Sequence, residues 1–113
     1  MIIEVYHIAF GDNHKVANVT VSDSMSVNQA LEVAFRKTNN IDGSWSKGPT
    51  YEFDGQHYNN SDYSEDVEVV AELPVKDGRV FGLRSTSCGD QMKVNGDTYE
   101  VDFVGFKKIS IAA

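Results

Sequence analysis

Cys88 is the only thiol in this 113-residue chain and the side chain best suited to act as a nucleophile near neutral pH. It would need a base beside it. His7, His14 and His57 lie far from it in sequence, and no spacing motif links them to it. An enzyme using Cys88 is therefore the weakest alternative, and a buried or half-buried small loop residue is the plainer reading. Ser85 and Ser87 lack the Gly-x-Ser-x-Gly setting of an activated serine, so no catalytic residue is expected. Asp62, Glu65, Asp66 and Glu68 form an acidic run without calcium-loop spacing, which reads as a solvated face. Gly43, Gly48 and Gly55 are scattered, with no phosphate-loop lysine after them. Neither a metal site nor a cofactor is expected.

The stretch Arg84-Ser85-Thr86-Ser87-Cys88-Gly89-Asp90 offers binding chemistry of another kind. Small hydroxyls and free amides beside an arginine can cradle an anion. The same groups can instead satisfy the loop's own backbone, with Gly89-Asp90 as a turn, and that reading is preferred. Trp45 sits in the breaker-rich loop 41–49 and reads as a plug for the core edge rather than a ligand platform. Tyr58 and Tyr63 fall in the polar stretch 54–66, which reads as a long surface loop of functional or mobile type. The candidate binding set is thus Arg84, Ser85, Thr86, Ser87, Trp45, Tyr58 and Tyr63. A nucleic-acid or nucleotide binder would use Arg79, Arg84, Lys93, Lys107 and Lys108.

These residues must be held by a scaffold, and the C-terminal part supplies the clearest piece. Asn95-Gly96 is the preferred pair for a two-residue type I′ hairpin. It sets Val94 opposite Asp97, Met92 opposite Tyr99 and Gln91 opposite Glu100. Met92, Val94, Tyr99, Val101 and Phe103 then share one face, and Gln91, Lys93, Thr98, Glu100 and Asp102 the other. Residues 2–10 and 16–21 read as strands of a second hairpin around the turn cluster Gly11–His14. Ser26 and Gln29 match a capping box, and Val27, Ala30, Leu31, Ala34 and Phe35 form one apolar stripe of a helix. Residues 51–53, 67–73 and 79–84 read as further strands, with Pro74 marking an edge. The expected fold is α+β: a mostly antiparallel curled sheet or small barrel of five to seven strands with one amphipathic helix across it. The expected core is Val5, Ile8, Val19, Val21, Leu31, Ala34, Phe35, Val69, Phe81, Met92, Val94, Val101 and Phe103.

Residues 1–113 suit a single domain, with 41% hydrophobic and 24% charged residues. Ten basic against seventeen acidic residues give a net charge of −7, which disfavours nucleic-acid binding. A lone cysteine excludes an internal disulfide, and no apolar run is long enough to span a membrane. The start, Met1 to His7, alternates like a strand rather than a signal sequence, so a cytoplasmic location is expected, the host cell's if phage-encoded. Residues 34–45 and 84–90, continued to Gly105-Phe106, resemble a group of small uncharacterised proteins of phages, plasmids and bacterial genomes. Members of that group end in Arg-Ser-x-Ser-Val-Gly-Asp, a short hairpin and Gly-Phe or Gly-Trp. The resemblance implies a phage or mobile-element setting and no substrate. The usual valine is Cys88 here, which speaks against thiol chemistry. The leading expectation is an accessory protein that acts by binding a host or phage protein without catalysis. A nucleic-acid or nucleotide-binding module on a PUA-like small barrel is the alternative.

Overall fold

The computed structural model describes residues 1–109. Strands β1 (Ile2–His7), β2 (His14–Thr20), β5 (Val67–Val69), β8 (Gln91–Val94), β9 (Asp97–Val101) and β10 (Phe106–Ile109) form one antiparallel sheet in the order β10-β9-β8-β1-β2-β5. Helix α1 (Val27–Lys37) packs against β1. Four short strands stand apart from this sheet as two ribbons, β3 (Thr50–Phe53) with β4 (Gln56–Asn59), and β6 (Val75–Lys76) with β7 (Arg79–Val80). The sheet is not closed: β5 and β10 are its two ends. A barrel needs every strand paired on both sides, so the expected small barrel is replaced by an open sheet.

Two hairpins build the centre. The β8–β9 pair has the predicted register, Gln91 with Glu100, Met92 with Tyr99 and Val94 with Asp97, around Asn95 and Gly96 at φ 52° and 83°. In the β1–β2 pair, Val5 faces Ala17 and Tyr6 faces Lys15, which leaves Val16 as the extra residue of a bulge. Sequence neighbours Val16 and Ala17 are both buried as a result. The hairpins join through β1 and β8, with Val5 beside Met92. Ser26 and Gln29 cap α1 reciprocally, and Ala30, Leu31 and Ala34 bury its apolar stripe against Ile3, Val5, Met92, Val94 and Val101. The opposite sheet face stays polar, with Lys15 on Glu4 at 2.9 Å and Asn18 on Glu68 at 2.9 Å.

Three expected core residues, Phe103, Phe81 and the half-buried Ile8, lie outside it. Phe103 is 93% exposed because β9 ends at Val101 and the chain turns at once, Asp102 N–H donating to Gly105 O at φ +76°. Phe81 is 44% exposed because the strand expected over 79–84 pairs only at Arg79 and Val80, and Leu83 and Trp45 fill the core there. The strand expected over 67–73 likewise shortens to β5, although Val67, Val69 and Ala71 do pack on the core. Phe35, also half-buried, does pack on the core.

Candidate functional site

The 84–90 loop is organised by Asp90, which is fully buried. Its carboxylate accepts the backbone N–H groups of Ile8 (2.7 Å), Ala9 (2.9 Å) and Ser87 (2.8 Å). Arg84 completes the set as a fork, Nη1 at 2.7 Å and Nη2 at 2.9 Å. Burial pushes the Asp90 carboxyl up. The hydrogen bonds from Arg84 and from the Ala9, Ser87 and Ile8 amides outweigh it and lower its pKa to about 2. The Asp90 hydrogen bond in turn raises Arg84 above its ordinary value. Arg84 Nε also donates to Asp12 at 3.2 Å, and its guanidinium lies over Phe10, 4.6 Å from the ring centre.

Behind this pair runs a directed chain of hydrogen bonds. Thr86 Oγ1 donates to Thr38 Oγ1 (2.7 Å), which donates to Ala34 O (2.8 Å) at the end of α1. The Thr86 proton being committed, its oxygen accepts from His7 Nε2 at 3.0 Å, which fixes the neutral Nε2–H tautomer. Burial of the ring, then the charge of Arg84, lowers the His7 pKa to about 4. Trp45 packs edge-on against His7 at 6.1 Å and donates Nε1–H to Arg84 O at 2.8 Å.

Five of the seven candidate binding residues therefore meet in one place, and their polar groups are taken up internally. Ser85 Oγ accepts from Asn40 N–H (2.8 Å), and Thr86 N–H donates to Thr38 O (2.9 Å). Ser87 N–H goes to Asp90. Arg84 meets two carboxylates. Trp45 is a core plug, 2% exposed. Such a loop joins α1, β1 and β8 and offers an incoming anion little positive charge.

Tyr58 and Tyr63 lie elsewhere. The polar stretch 54–66 contains β4, so it is only partly a loop. Asp54-Gly55 and Asp77-Gly78 are type I′ turns like Asn95-Gly96, with φ of 54° and 77°, then 53° and 75°. Tyr58 on β4 stacks against Tyr51 on β3 at 5.7 Å, and Lys47 Nζ sits 5.1 Å from the centre of the Tyr51 ring. Between the ribbons lies a groove of about 730 Å³. Tyr51, Leu73, Val80 and Phe81 give it apolar walls, and Lys47, Glu52, Asp54 and Arg79 give it charges of both signs. The ribbon turns approach there, Arg79 Nη2 to Asp54 Oδ1 at 3.9 Å. Lys76-Asp77-Gly78 reads as a turn from the sequence, whereas the Asp54-Gly55 pair is obscured by the polar residues Gln56 and His57 that follow it.

The loop behind the groove is pinned by Asn60 and Asp62. Asn60 Nδ2 donates to Ser44 O (2.6 Å) and Gly48 O (2.8 Å), and Oδ1 accepts Ser44 N–H (2.9 Å). Asp62 Oδ2 accepts the N–H groups of Ile41, Asp42 and Gly43 at 2.7, 3.0 and 2.7 Å.

The remaining chemistry is dispersed. Cys88 is exposed rather than buried, and it borders a separate recess with Phe35 and Phe106. Among the described residues no group of three His, Cys, Asp or Glu side chains converges as metal ligands. No described helix is long and apolar enough to cross a membrane. Of the basic residues named for nucleic acid, Lys93 lies over Tyr6 at 4.7 Å and Lys108 lies 3.5 Å from Asp97. Arg79 and Arg84 face carboxylates. In comparisons with known proteins, no family model matches the chain, and no curated protein or solved structure does either.

Proposed function

We propose that this chain is a non-catalytic accessory protein of the phage or mobile-element kind its C-terminal motif resembles, and that it binds a partner polypeptide in the groove between its two ribbons. One observation carries the reading. Val80 and, just after β7, Phe81 are exposed in the groove wall, with Val75 and Tyr58 exposed opposite Val80 and Tyr51 on the same ribbons, and none of the four adds to the core of the main sheet. Apolar side chains of this size, grouped beside an aromatic pair and rimmed by both signs of charge, suit a protein surface better than a phosphate backbone. A host-cell or phage protein in the cytoplasm is the expected partner.

The test is site-specific photo-crosslinking in cells that carry the protein. A photoreactive residue at position 80 is expected to trap one discrete partner, and the product should vanish with Phe81→Ser and Tyr58→Ser. The same probe at Glu100, on the polar sheet face, should trap nothing discrete. Identical products from both positions, or none from position 80, would overturn the reading.

A further inference from the structure

The two ribbons turn unpaired backbone edges toward the same groove. Along an antiparallel pair, hydrogen-bonded and non-hydrogen-bonded positions alternate, and at the latter the backbone N–H and C=O point away from the partner strand. Asn60 N–H bonds to Pro49 O at 2.9 Å, so Thr50 with Asn59 and Glu52 with His57 are non-hydrogen-bonded pairs. Phe81 N–H bonds to Pro74 O at 2.8 Å, which makes Val75 with Val80 another. Thr50 and Glu52 on β3 and Val80 on β7 therefore aim their backbone groups outward, and all three line the groove. Their partners Asn59, His57 and Val75 face the far edges of the ribbons and do not line it. β3 leads up to the Asp54-Gly55 turn and β7 leads back from the Asp77-Gly78 turn. The turns meet through Arg79 and Asp54 at 3.9 Å, so the two edges run side by side in opposite directions. We infer that the partner polypeptide enters as an extended strand between β3 and β7. Its backbone bonds to Thr50 and Glu52 on one side and to Val80 on the other, joining the ribbons into one sheet of order β4-β3-partner-β7-β6.

This mode of binding rests on the groove being a polypeptide site, as proposed above, and it defines the occupant further. An unpaired strand edge presents donors and acceptors in alternation, and an extended polypeptide backbone supplies their complement. A nucleic acid has no such alternation. Between edges of opposite direction the segment is antiparallel to one and parallel to the other. Antiparallel pairing is the more stable, and β3 has four residues against two in β7, so the segment runs antiparallel to β3. Lys47 and Glu52 form no ion pair among the described residues, so a segment carrying both signs of charge complements the walls. A second copy of this chain, at net charge −7, is the poorer occupant.

Proline removes one N–H at a time and so separates backbone pairing from side-chain contact. With a photoreactive residue at Lys47, in cells that carry the protein, Glu52→Pro and Val80→Pro should cut the crosslinked partner at least about tenfold. Each deletes a donor facing the groove and sets a ring in the path of the incoming strand. His57→Pro and Val75→Pro, on the outer edges of the same ribbons, should leave the product unchanged, as should Val80→Thr, which keeps its N–H. None of the deleted N–H groups bonds within a ribbon, so the purified proline variants should keep the wild-type circular dichroism spectrum. A product that survives Glu52→Pro and Val80→Pro, or is lost equally with His57→Pro and Val75→Pro, would overturn strand insertion while the groove reading stands. A crosslinked dimer of the chain itself or a nuclease-sensitive product would overturn it too. No product from Lys47 or from position 80 would overturn both.

Discussion

At the scale of single residues, the pair of buried Asp90 and half-buried Arg84 governs the fold's response to mutation and to acid. Asp90 ties together the end of β1, the 84–90 loop and the start of β8. Removing the carboxylate leaves the half-buried Arg84 with Asp12 as its remaining carboxylate and strands three amides without their acceptor. Asp90→Ala should therefore cost about 3–5 kcal/mol, read from urea unfolding at neutral pH, whereas Asp23→Ala on the exposed surface should change little. Two groups set the pH dependence. The His7 pKa is lowered from 6.5 to about 4. Between those values the unfolded chain binds a proton that the folded ring does not, so stability falls as pH drops across that window. The loss is at most about 3 kcal/mol and levels off below the folded pKa. Asp90 acts lower down: its contribution is complete above 3.8 and disappears as pH falls through about 2. Urea midpoints of wild type and His7→Gln should separate these limbs. The variant should lose the upper slope and retain the lower one. An unchanged upper slope would show that another group titrates there.

At the scale of elements, the Asn60 amide is the decisive clamp outside the sheet. It holds both ends of the 44–48 loop, and a Cβ on Gly43 would come within 2.4 Å of its Oδ1. Asn60→Ala should destabilise the chain by about 1–3 kcal/mol through its orphaned partners, and Gly43→Ala should imitate it by forcing the amide aside. Chemical denaturation measures both, with near-ultraviolet circular dichroism of Trp45 reporting the released loop. Little of this clamp was legible in the sequence, because its bonds span 12 to 16 residues of irregular chain with no periodic pattern. The Asp90 contacts, 81 and 82 residues apart, are equally hidden, and the loop shows in the sequence only its hydroxyls and its Gly-Asp turn. Regular patterns fared better. The capping box, the helix stripe and the Asn95-Gly96 register all formed as local chemistry dictates. Phe103 departs from the expected face for a local reason: β9 ends at Val101 and the chain turns through Gly105, so strand alternation does not reach it.

At the scale of the whole molecule, a well-braced sheet carries two loosely held ribbons. The radius of gyration is 14.6 Å with extents of 51 × 32 × 23 Å, against about 13 Å for a compact chain of this length. Isolated two-stranded ribbons are only marginally stable in water. The Arg79–Asp54 contact between them has side chains 61% and 77% exposed, so solvent screens most of its attraction. The ribbons should therefore open without the sheet unfolding. Native-state hydrogen exchange tests this directly. Amides of the β3–β4 and β6–β7 pairs should exchange through local opening, with rates nearly independent of low urea. Amides of Val5 and Met92, at the joint of the two central hairpins, should exchange only through global unfolding and follow its urea dependence. Asp90→Ala should then speed the central amides far more than the ribbon amides, because it lowers global stability without touching the ribbons. A partner in the groove should do the reverse and slow the ribbon amides first. Ribbon amides as protected as Val5 would mean that the ribbons belong to the rigid scaffold.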